Sequence, residues 1–348
     1  MEVDEKYMRR ALQLARCGEA YASPNPMVGA VIVHDGLIIG EGFHRRCGEG
    51  HAEVNAVASV AHKDLLAHST MYVTLEPCSH YGKTPPCAKL IIDSRIPRVV
   101  VGCLDPFHKV SGRGVELLRN AGVEVKVGVL EQECLKLNDR FVTAHRRHRP
   151  YVTLKWAQSY DGFLDSRRLA PGQLPMLFSS AESTLEVHRL RALHDAVMVG
   201  SGTVMVDDPR LDVRNVSGRQ PAKVVIDRRA RVAPTARVFA RGRIIYFSAV
   251  ERADLPANVE CITVDRDASL DVILSRLYEC GITSVLVEGG SEIINALVSS
   301  STYDSARIEV APFSLGQNGV AHVDMPPQSP YKIRKLAENM IIGVKNDV

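Results

Sequence analysis

The sequence predicts two α/β domains in series. The chain has 348 residues, more than one compact domain usually holds. Residues 4–143 alternate amphipathic helical periodicity with short apolar runs, the pattern of a sheet carrying helices on both faces. A basic, proline-ended segment, Arg146–Pro150, then gives way to a fresh apolar strand from Tyr151. The expected division is residues 1–146, a linker at 147–150, and residues 151–348.

Composition narrows the function classes. With 45% apolar and 24% charged residues the chain reads as water-soluble and globular. A formal net charge of +3, without a long block of one sign, argues against a nucleic-acid-binding stripe. The densest basic cluster, His145–Arg149, reads as a solvated linker. No apolar run approaches the roughly 18 residues of a membrane span, and the acidic start Met1–Glu5 is not a signal peptide. Cys17, Cys47, Cys103, Cys134, Cys261 and Cys280 follow no framework and read as free thiols in a reducing compartment, the cytoplasm.

Taken in order, residues 4–17 form an amphipathic helix, because Tyr7, Met8, Ala11, Leu12 and Ala15 share a face and Gly18 can end it. Pro24 and Pro26 stiffen the next segment. Asn25 between them is a turn former, or a side chain placed to read a polar ring edge. Val28–Val33 and Leu37–Gly42 pair as a hairpin about Asp35-Gly36. A helix is expected from His51 to about Ala61, with His51 and Glu53 in a first turn that offers free backbone N–H groups. Met71–Leu75 is a strand that leads through Glu76-Pro77-Cys78 into another helix start. Arg98–Cys103 is a buried strand, and Asp105 follows at the end where α/β crevices open. Val110–Ala121 reads as a helix, Gly112-Arg113-Gly114 within it as a turn, Val123–Val127 as a strand and Glu131–Thr143 as a helix.

The chemistry lies between His51 and Cys87. His51, Cys78 and Cys87 offer one imidazole and two thiolates, three ligands for Zn²⁺, with a fourth position left for water as in catalytic zinc sites. Glu53 sits two residues after the histidine. In zinc deaminases a non-ligating Glu at that spacing moves protons between an activated water and the substrate ring. Here eight residues, Ser79–Pro86, separate the two cysteines. The run Thr74-Leu-Glu-Pro-Cys-Ser-His-Tyr-Gly-Lys-Thr-Pro-Pro-Cys87 resembles the deaminase half of bacterial bifunctional deaminase/reductases of riboflavin biosynthesis, whose mark is this long loop. The resemblance implies a cytidine-deaminase-like three-layer αβα domain and a phosphoribosylated pyrimidine substrate. It also implies substrate contacts from Asn25, His44, Lys83 and Asp105. Alone, His44 would be a solvated histidine and Lys83 a surface lysine; the resemblance gives Lys83 the substrate phosphate. Gly112-Arg113-Gly114 also matches the family.

In the second half, Tyr151–Ser159 is a strand and Asp161-Gly162 a turn. Arg191 lies on a helix, and Ala196–Val199 is a strand. Glycines after that strand, Gly200 and Gly202, let backbone approach a cofactor. Val224–Asp227 is a strand followed by Arg228-Arg229, which is either a solvated turn or a site for the 2′-phosphate of NADPH. Val285–Glu288, Gly289-Gly290 and a helix from Ser291 aim backbone N–H groups at an anion such as a cofactor pyrophosphate. Arg307–Ala311 and the loop Pro312–Gly319 follow, and the tail after Pro326 is uninformative.

Two runs carry the family resemblance here. One is Lys155-x-x-x-Ser159-x-Asp161-Gly162. The other is Gly200-x-x-Thr203-x-x-x-Asp207-Asp208-Pro209-x-Leu211-x-x-Arg214. They resemble the reductase half of the same enzymes, which implies a dihydrofolate-reductase-like α/β domain, NADPH, and a homo-oligomer formed through that domain. Implied substrate contacts are Lys155, Arg191 (phosphate), Leu211, Arg214 (a phosphate clamp) and Glu288 (ribose hydroxyls). Implied cofactor contacts are Ala157, Leu177, Thr203, Asp207, Arg228, Gly290 and Ser291. One segment departs from the family. Where a Gly-Glu-Ser-x-Trp-Ile-Thr-like run is common, this chain has Pro175–Ser180, with Leu177 in the register of the Trp and Pro175 in that of a substrate Ser.

The expected function is zinc-dependent hydrolytic deamination of 2,5-diamino-6-(5-phosphoribosylamino)pyrimidin-4(3H)-one, then NADPH-dependent reduction of its ribosyl group to ribityl. No nucleic-acid or membrane partner is expected. The alternative is a nucleic-acid or free-nucleotide deaminase with a non-catalytic C-terminal domain. Its nucleic-acid form requires a basic, aromatic-bearing surface for a flipped base, and a +3 charge with a single tryptophan gives that little support.

Overall fold

The structure is a computed structural model that describes residues 3–80, 85–106, 111–167, 175–326 and 330–346. It divides into two units, Met1–His148 and Arg149–Val348.

The first unit begins with α1 (Val3–Arg16), which buries Tyr7, Met8, Ala11, Leu12 and Ala15 at the expected spacing. Strands β1 (Gly29–His34) and β2 (Leu37–Phe43) form the hairpin, with Asp35 and Gly36 at φ 46° and 77°, the positive values a two-residue turn requires. Then come α2 (Ala52–Ser59), β3 (Thr70–Leu75), α3 (Cys87–Asp93), β4 (Arg98–Cys103), α4 (Arg113–Asn120), β5 (Glu124–Val127), α5 (Glu131–Leu137) and α6 (Asp139–Arg147). The sheet order is β2-β1-β3-β4-β5, antiparallel about β1 and parallel from β3 to β5.

Strand periodicity divides the core. Ile32, Val73 and Val101 pack with Ala56, Ile91 and Leu118 of α2, α3 and α4. Their neighbours Val31, Tyr72 and Val100 pack with Met8, Leu12 and Cys134 of α1 and α5. The result is a three-layer αβα unit.

Three local expectations need correction. Cys78 does not start a helix; it lies in a loop, and α3 starts at Cys87 behind Pro86. The helix expected over Glu131–Thr143 breaks at Asn138. There the carboxamide leaves the helix to bond Met27, accepting from its N–H at 2.8 Å and donating to its carbonyl at 2.8 Å. Arg146 and Arg147 are exposed, as a solvated segment would be, but they form the last turn of α6 rather than a linker, and cations there complement the helix dipole.

The second unit comprises β6 (Tyr151–Gln158), β7 (Phe163–Ser166), α7 (Ala181–Leu193), β8 (Ala196–Gly200), α8 (Ser201–Asp207), β9 (Ala222–Ile226), β10 (Ile244–Ser248), β11 (Val259–Thr263), α9 (Leu270–Glu279), β12 (Ser284–Val287), α10 (Ser291–Ser299), β13 (Ser305–Val310), β14 (Gly319–His322), β15 (Pro330–Leu336) and β16 (Asn339–Lys345). Among the described residues the main sheet runs β11-β10-β9-β8-β12-β6-β13-β16-β15, and β14 pairs with β7. It is parallel from β11 to β13 and antiparallel at the β16 and β15 edge. One face packs Leu154, Met198 and Val224 against Leu277 of α9 and Leu297 of α10. The other packs Val199, Val225 and Tyr246 with Val204 of α8 and Leu211. Both units are α/β, as expected. No helix among the described residues is long and apolar enough to cross a membrane.

Candidate active sites

The first site forms where α2, the loop after β3 and α3 converge. His51 is the residue before α2, with extended backbone, so its ring swings clear of the helix. Cys87 opens α3, and its N–H donates to Cys78 Sγ at 3.3 Å. His51 Nδ1 lies 3.6 Å from Cys78 Sγ and 3.3 Å from Cys87 Sγ, and the three ligand atoms all lie within 4.8 Å of one another. A tetrahedral Zn²⁺, with bonds of about 2.1 Å to N and 2.3 Å to S, needs ligand atoms about 3.5–3.8 Å apart. The donor set and its spacing fit that ion. The two thiols are not equivalent. A hydrogen bond from Cys87, aided by His51, holds Cys78 well below the ordinary thiol range, and the same contact and burial push Cys87 up. Glu53 lies in the first turn of α2 and is 3% exposed; burial pushes its carboxyl up to about 7.

The surroundings hold two more of the expected residues. His44 is buried, with its ring edge-on to His51 at 5.5 Å between centroids. Its Nδ1 meets the Gly50 carbonyl at 3.2 Å and its Nε2 meets Asn25 Nδ2 at 3.1 Å, and burial lowers its pKa. Asn25 is held in turn by the Asn138–Met27 clamp two residues on. Asp105 follows β4, and its N–H donates to Glu76 Oε2 at 3.1 Å. Lys83 lies outside the described residues.

Glu76 is a residue that sequence reasoning missed. It is buried, directly before Pro77-Cys78, and accepts four backbone N–H groups: Asp105 and Gly112 on Oε2, Gly114 and Val115 on Oε1. It therefore caps α4 and ties that helix to the zinc loop and to Asp105. This gives Gly112-Arg113-Gly114 its role. Gly112 has φ 83°, and a Cβ on Gly114 would stand 2.0 Å from the Pro77 carbonyl oxygen. A Glu-Pro-Cys run with a Gly-x-Gly run was the only hint in the sequence.

The second site is a cavity of about 890 Å³ at the C-terminal ends of the parallel strands. Lys155 and Ala157 of β6 and Thr203 and Asp207 of α8 line it. So do Glu288, Gly290 and Ser291 between β12 and α10, together with Leu177 and Arg228. The Gly-Gly turn presses on α8: a Cβ on Gly289 would stand 2.7 Å from Thr203 Oγ1. Four guanidinium groups, Arg228, Arg229, Arg231 and Arg266, gather in the same lining. Arg228 donates to the Ala268 carbonyl, yet its Nε is buried without a partner. A glycine turn at a helix start, an open cavity and a cationic end with an orphaned N–H fit a phosphorylated dinucleotide. Burial pulls the Lys155 ammonium below the ordinary lysine value, with Glu288 and Glu309 opposing.

Three expected reductase residues sit differently. Arg191 is joined to Glu288 by two short bonds, 2.6 and 2.7 Å, and donates to the Asp212 carbonyl. Leu211 has φ 52° and its side chain packs in the core. Arg214 lines a different cavity. A further buried carboxylate went unforeseen. Glu309 of β13 accepts Ser179, Ser183 and Asn339, and so pins the segment that carries Leu177 and the start of α7 to the sheet.

Residues 1–103 match the family model of the cytidine and deoxycytidylate deaminase zinc-binding region, and residues 150–341 match the RibD C-terminal domain. Riboflavin biosynthesis protein RibD of Aquifex aeolicus is 39% identical over 99% of both chains, and that of Escherichia coli 36% identical over 93% of this chain and 91% of its own. Among solved structures, Acinetobacter baumannii RibD superposes with a TM-score of 0.90 at 33% identity, covering 99% of each chain. The Thermotoga maritima diaminohydroxyphosphoribosylaminopyrimidine deaminase/5-amino-6-(5-phosphoribosylamino)uracil reductase gives a TM-score of 0.85 at 38% identity, also over 99% of each. A deaminase with a non-catalytic second half is not favoured, since both halves match one two-domain family. Full-length likeness at this level, with a zinc-binding deaminase region before a reductase domain, means that the chain belongs to the RibD family of bifunctional riboflavin-biosynthesis deaminase/reductases.

Proposed function

We propose that the first unit deaminates the diamino pyrimidine nucleotide named for the Thermotoga relative, and that the second reduces the resulting phosphoribosylaminouracil with NADPH. The observation that carries this reading is the meeting of His51, Cys78 and Cys87 beside buried Glu53. Those three side chains hold the zinc, which when bound supplies the Lewis acidity that makes water nucleophilic near neutral pH. Glu53 would take one proton from the attacking water and give it to the ring nitrogen, then take the second from the hydroxyl left on the ring carbon and give it to the departing amino group, so that ammonia leaves and a carbonyl remains. Asn25 and His44, fixed by their mutual contact and by Gly50, face the ring edge. Lys83 and Asp105 complete the substrate contacts.

In the second unit NADPH supplies the hydride when bound. The chain's own task is to hold the ribose, exclude water and supply the proton that O4′ takes as the C1′–O4′ bond opens. Lys155 would give it; its position in the cavity lining, with Glu288 as a neighbour, supports that role. Arg228 and Arg229 hold the cofactor 2′-phosphate.

The test is a coupled assay of the full chain with the diamino nucleotide and NADPH, with and without a chelator. Ammonia release and NADPH oxidation are both expected, with chelation stopping the first. Oxidation of NADPH by the separately supplied deaminated nucleotide should survive chelation. Chelator-resistant ammonia release, or no oxidation with either nucleotide, would overturn the reading.

A further inference from the structure

Glu309 is a buried carboxylate to which the proposed reactions give no task. It lies in β13, fully buried, and the parallel pairing sets Arg307 beside Lys155 and Glu309 beside Ala157. Residues paired in register point to the same side of a sheet. The Thr153 and Ser305 hydroxyls, one pair earlier, meet at 3.2 Å accordingly. The residues between, Leu154, Trp156, Ala306 and Ile308, enter the apolar core on the opposite face. One face of β6 and β13 therefore carries a charged stripe. Lys155 and Ala157 line the cofactor cavity, and Glu309 stands beside Ala157, behind that lining.

Two parts of the cavity wall depend on that carboxylate. The first is the segment Met176–Ser179. Ser179 donates to Glu309 Oε2 at 2.8 Å, and Asn339 Nδ2 donates to Glu309 Oε1 at 2.6 Å and to the Phe178 carbonyl at 2.8 Å. At the other end the Met176 N–H donates to Asp165 at 2.8 Å. Leu177, whose side chain is 80% exposed, is thus held between anchored neighbours. The second part is Lys155. The charged groups facing it are Glu288 after β12, Arg191 of α7, and Arg307 and Glu309 of β13. Burial drives its ammonium toward the neutral form, and Glu288 and Glu309 oppose that. Glu288 already receives two short bonds from Arg191. Glu309 takes its hydrogen bonds from neutral donors, Ser179, Ser183 and Asn339. Arg307 turns instead to Ser183 and to Glu186, which Arg334 shares, and its Nη1 stops 3.6 Å short of Glu309 without a hydrogen-bond partner. The Glu309 charge is therefore the less committed of the two.

We propose that Glu309 is a positioning residue of the reductase: from behind the cavity wall it sets the Met176–Ser179 segment against the cofactor and supplies the negative charge that balances the Lys155 ammonium. This rests on the reductase reading above. It gives one buried side chain two effects, one of hydrogen bonding and one of charge, and different substitutions remove them.

The test compares the full chain with E309Q and N339A in two measurements, calorimetric titration with NADPH and the pH profile of kcat for the deaminated nucleotide. Gln keeps the shape of Glu, and the serine hydroxyls can rotate to suit it, so E309Q removes the charge and leaves the segment tied. The basic limb of its kcat profile, where Lys155 gives up its proton, should move about one pH unit lower, because loss of a nearby anion favours the neutral amine. Its NADPH affinity should stay within about twofold of wild type. N339A keeps the charge and frees the Phe178 carbonyl. It should bind NADPH at least about fivefold more weakly, the loss of a hydrogen bond or two, with the basic limb unmoved. Should N339A not fold, S179A repeats the affinity measurement, since that hydroxyl is committed to Glu309. A residue that served only the fold would lower the melting temperature of the unit and move neither limb nor affinity. That result, or a limb in E309Q at the wild-type pH, would overturn the proposal. Wild-type protein that binds NADPH without oxidising it would overturn the reductase reading instead, and the calorimetry would still judge the segment; wild-type protein that does not bind NADPH would overturn both.

Discussion

Glu53 and Gln have nearly the same shape, so replacing one by the other asks only whether a proton must be carried. Glu53→Gln should lower deamination by at least about 10²-fold, within the usual range for general acid–base catalysis. Reduction of the deaminated nucleotide should continue at the wild-type rate, because Glu53 belongs to the first unit. Ammonia release that survives the substitution would remove Glu53 from its role. At the other site, Arg228→Ala/Arg229→Ala should erase a preference for NADPH over NADH by raising KM for NADPH alone; a preference that persists would send the 2′-phosphate elsewhere. These residues were legible because their chemistry travels with residue type and local spacing: imidazole, thiolates, a carboxylate two places on, arginines after a strand. Arg191 was legible only in part. A cation on a helix can be read locally, but its partner Glu288 lies 97 positions away, and no periodicity reports such a pairing.

Elements set those side chains, and Glu76 shows how. One carboxylate receives the start of α4, the loop holding Asp105 and, through the chain, Pro77-Cys78. Glu76→Gln keeps one acceptor oxygen and turns an NH₂ toward backbone donors, which costs about 2–3 kcal/mol of local order. Zinc content should stay at wild type, since no ligand changes. The deaminase KM should rise about tenfold as Asp105 loses its anchor, and reduction should not change. Loss of zinc, or a fall in both activities together, would mean that Glu76 serves only the fold. The break between α5 and α6 has the same character. Helical periodicity runs through Asn138, but its carboxamide bonds Met27, 111 positions away, and that contact wins. Strand β11 and the closing hairpin went unread for a related reason, whereas β10, a run of five buried residues, and α9, with Ile273, Leu274 and Leu277 on a buried face, carry a local signal that sequence reasoning missed. Edge strands such as β11 and β15 carry polar residues that blur the alternation, as Glu260, Lys332 and Arg334 show.

At the scale of the whole molecule, the two units can be observed separately. The chain's single tryptophan, Trp156, is buried in β6 of the second unit, so its fluorescence reports that unit alone. In the first unit Asp4 closes α1 onto the sheet, accepting Arg98 at 3.0 and 3.1 Å, Lys126 at 2.9 Å and Tyr72 at 3.0 Å. The Arg98 hydrogen bonds, ahead of Lys126 and Tyr72, hold its carboxyl far below the ordinary carboxylate range. A carboxylate whose pKa falls on folding stabilises fully above its unfolded value of about 4, and that stabilisation drains away as pH drops below it. Asp4→Asn should therefore cost the first unit about 2–3 kcal/mol at pH 7, roughly 5–10 °C in its melting temperature. The gap between wild type and variant should narrow steadily below about pH 4. Zinc loss in acid affects both proteins alike and leaves the comparison intact. Circular dichroism should show the shift while the Trp156 transition stays where it was. A gap as wide at pH 3 as at pH 7, or a Trp156 transition that moves with it, would show that Asp4 does not act through its charge on the first unit alone.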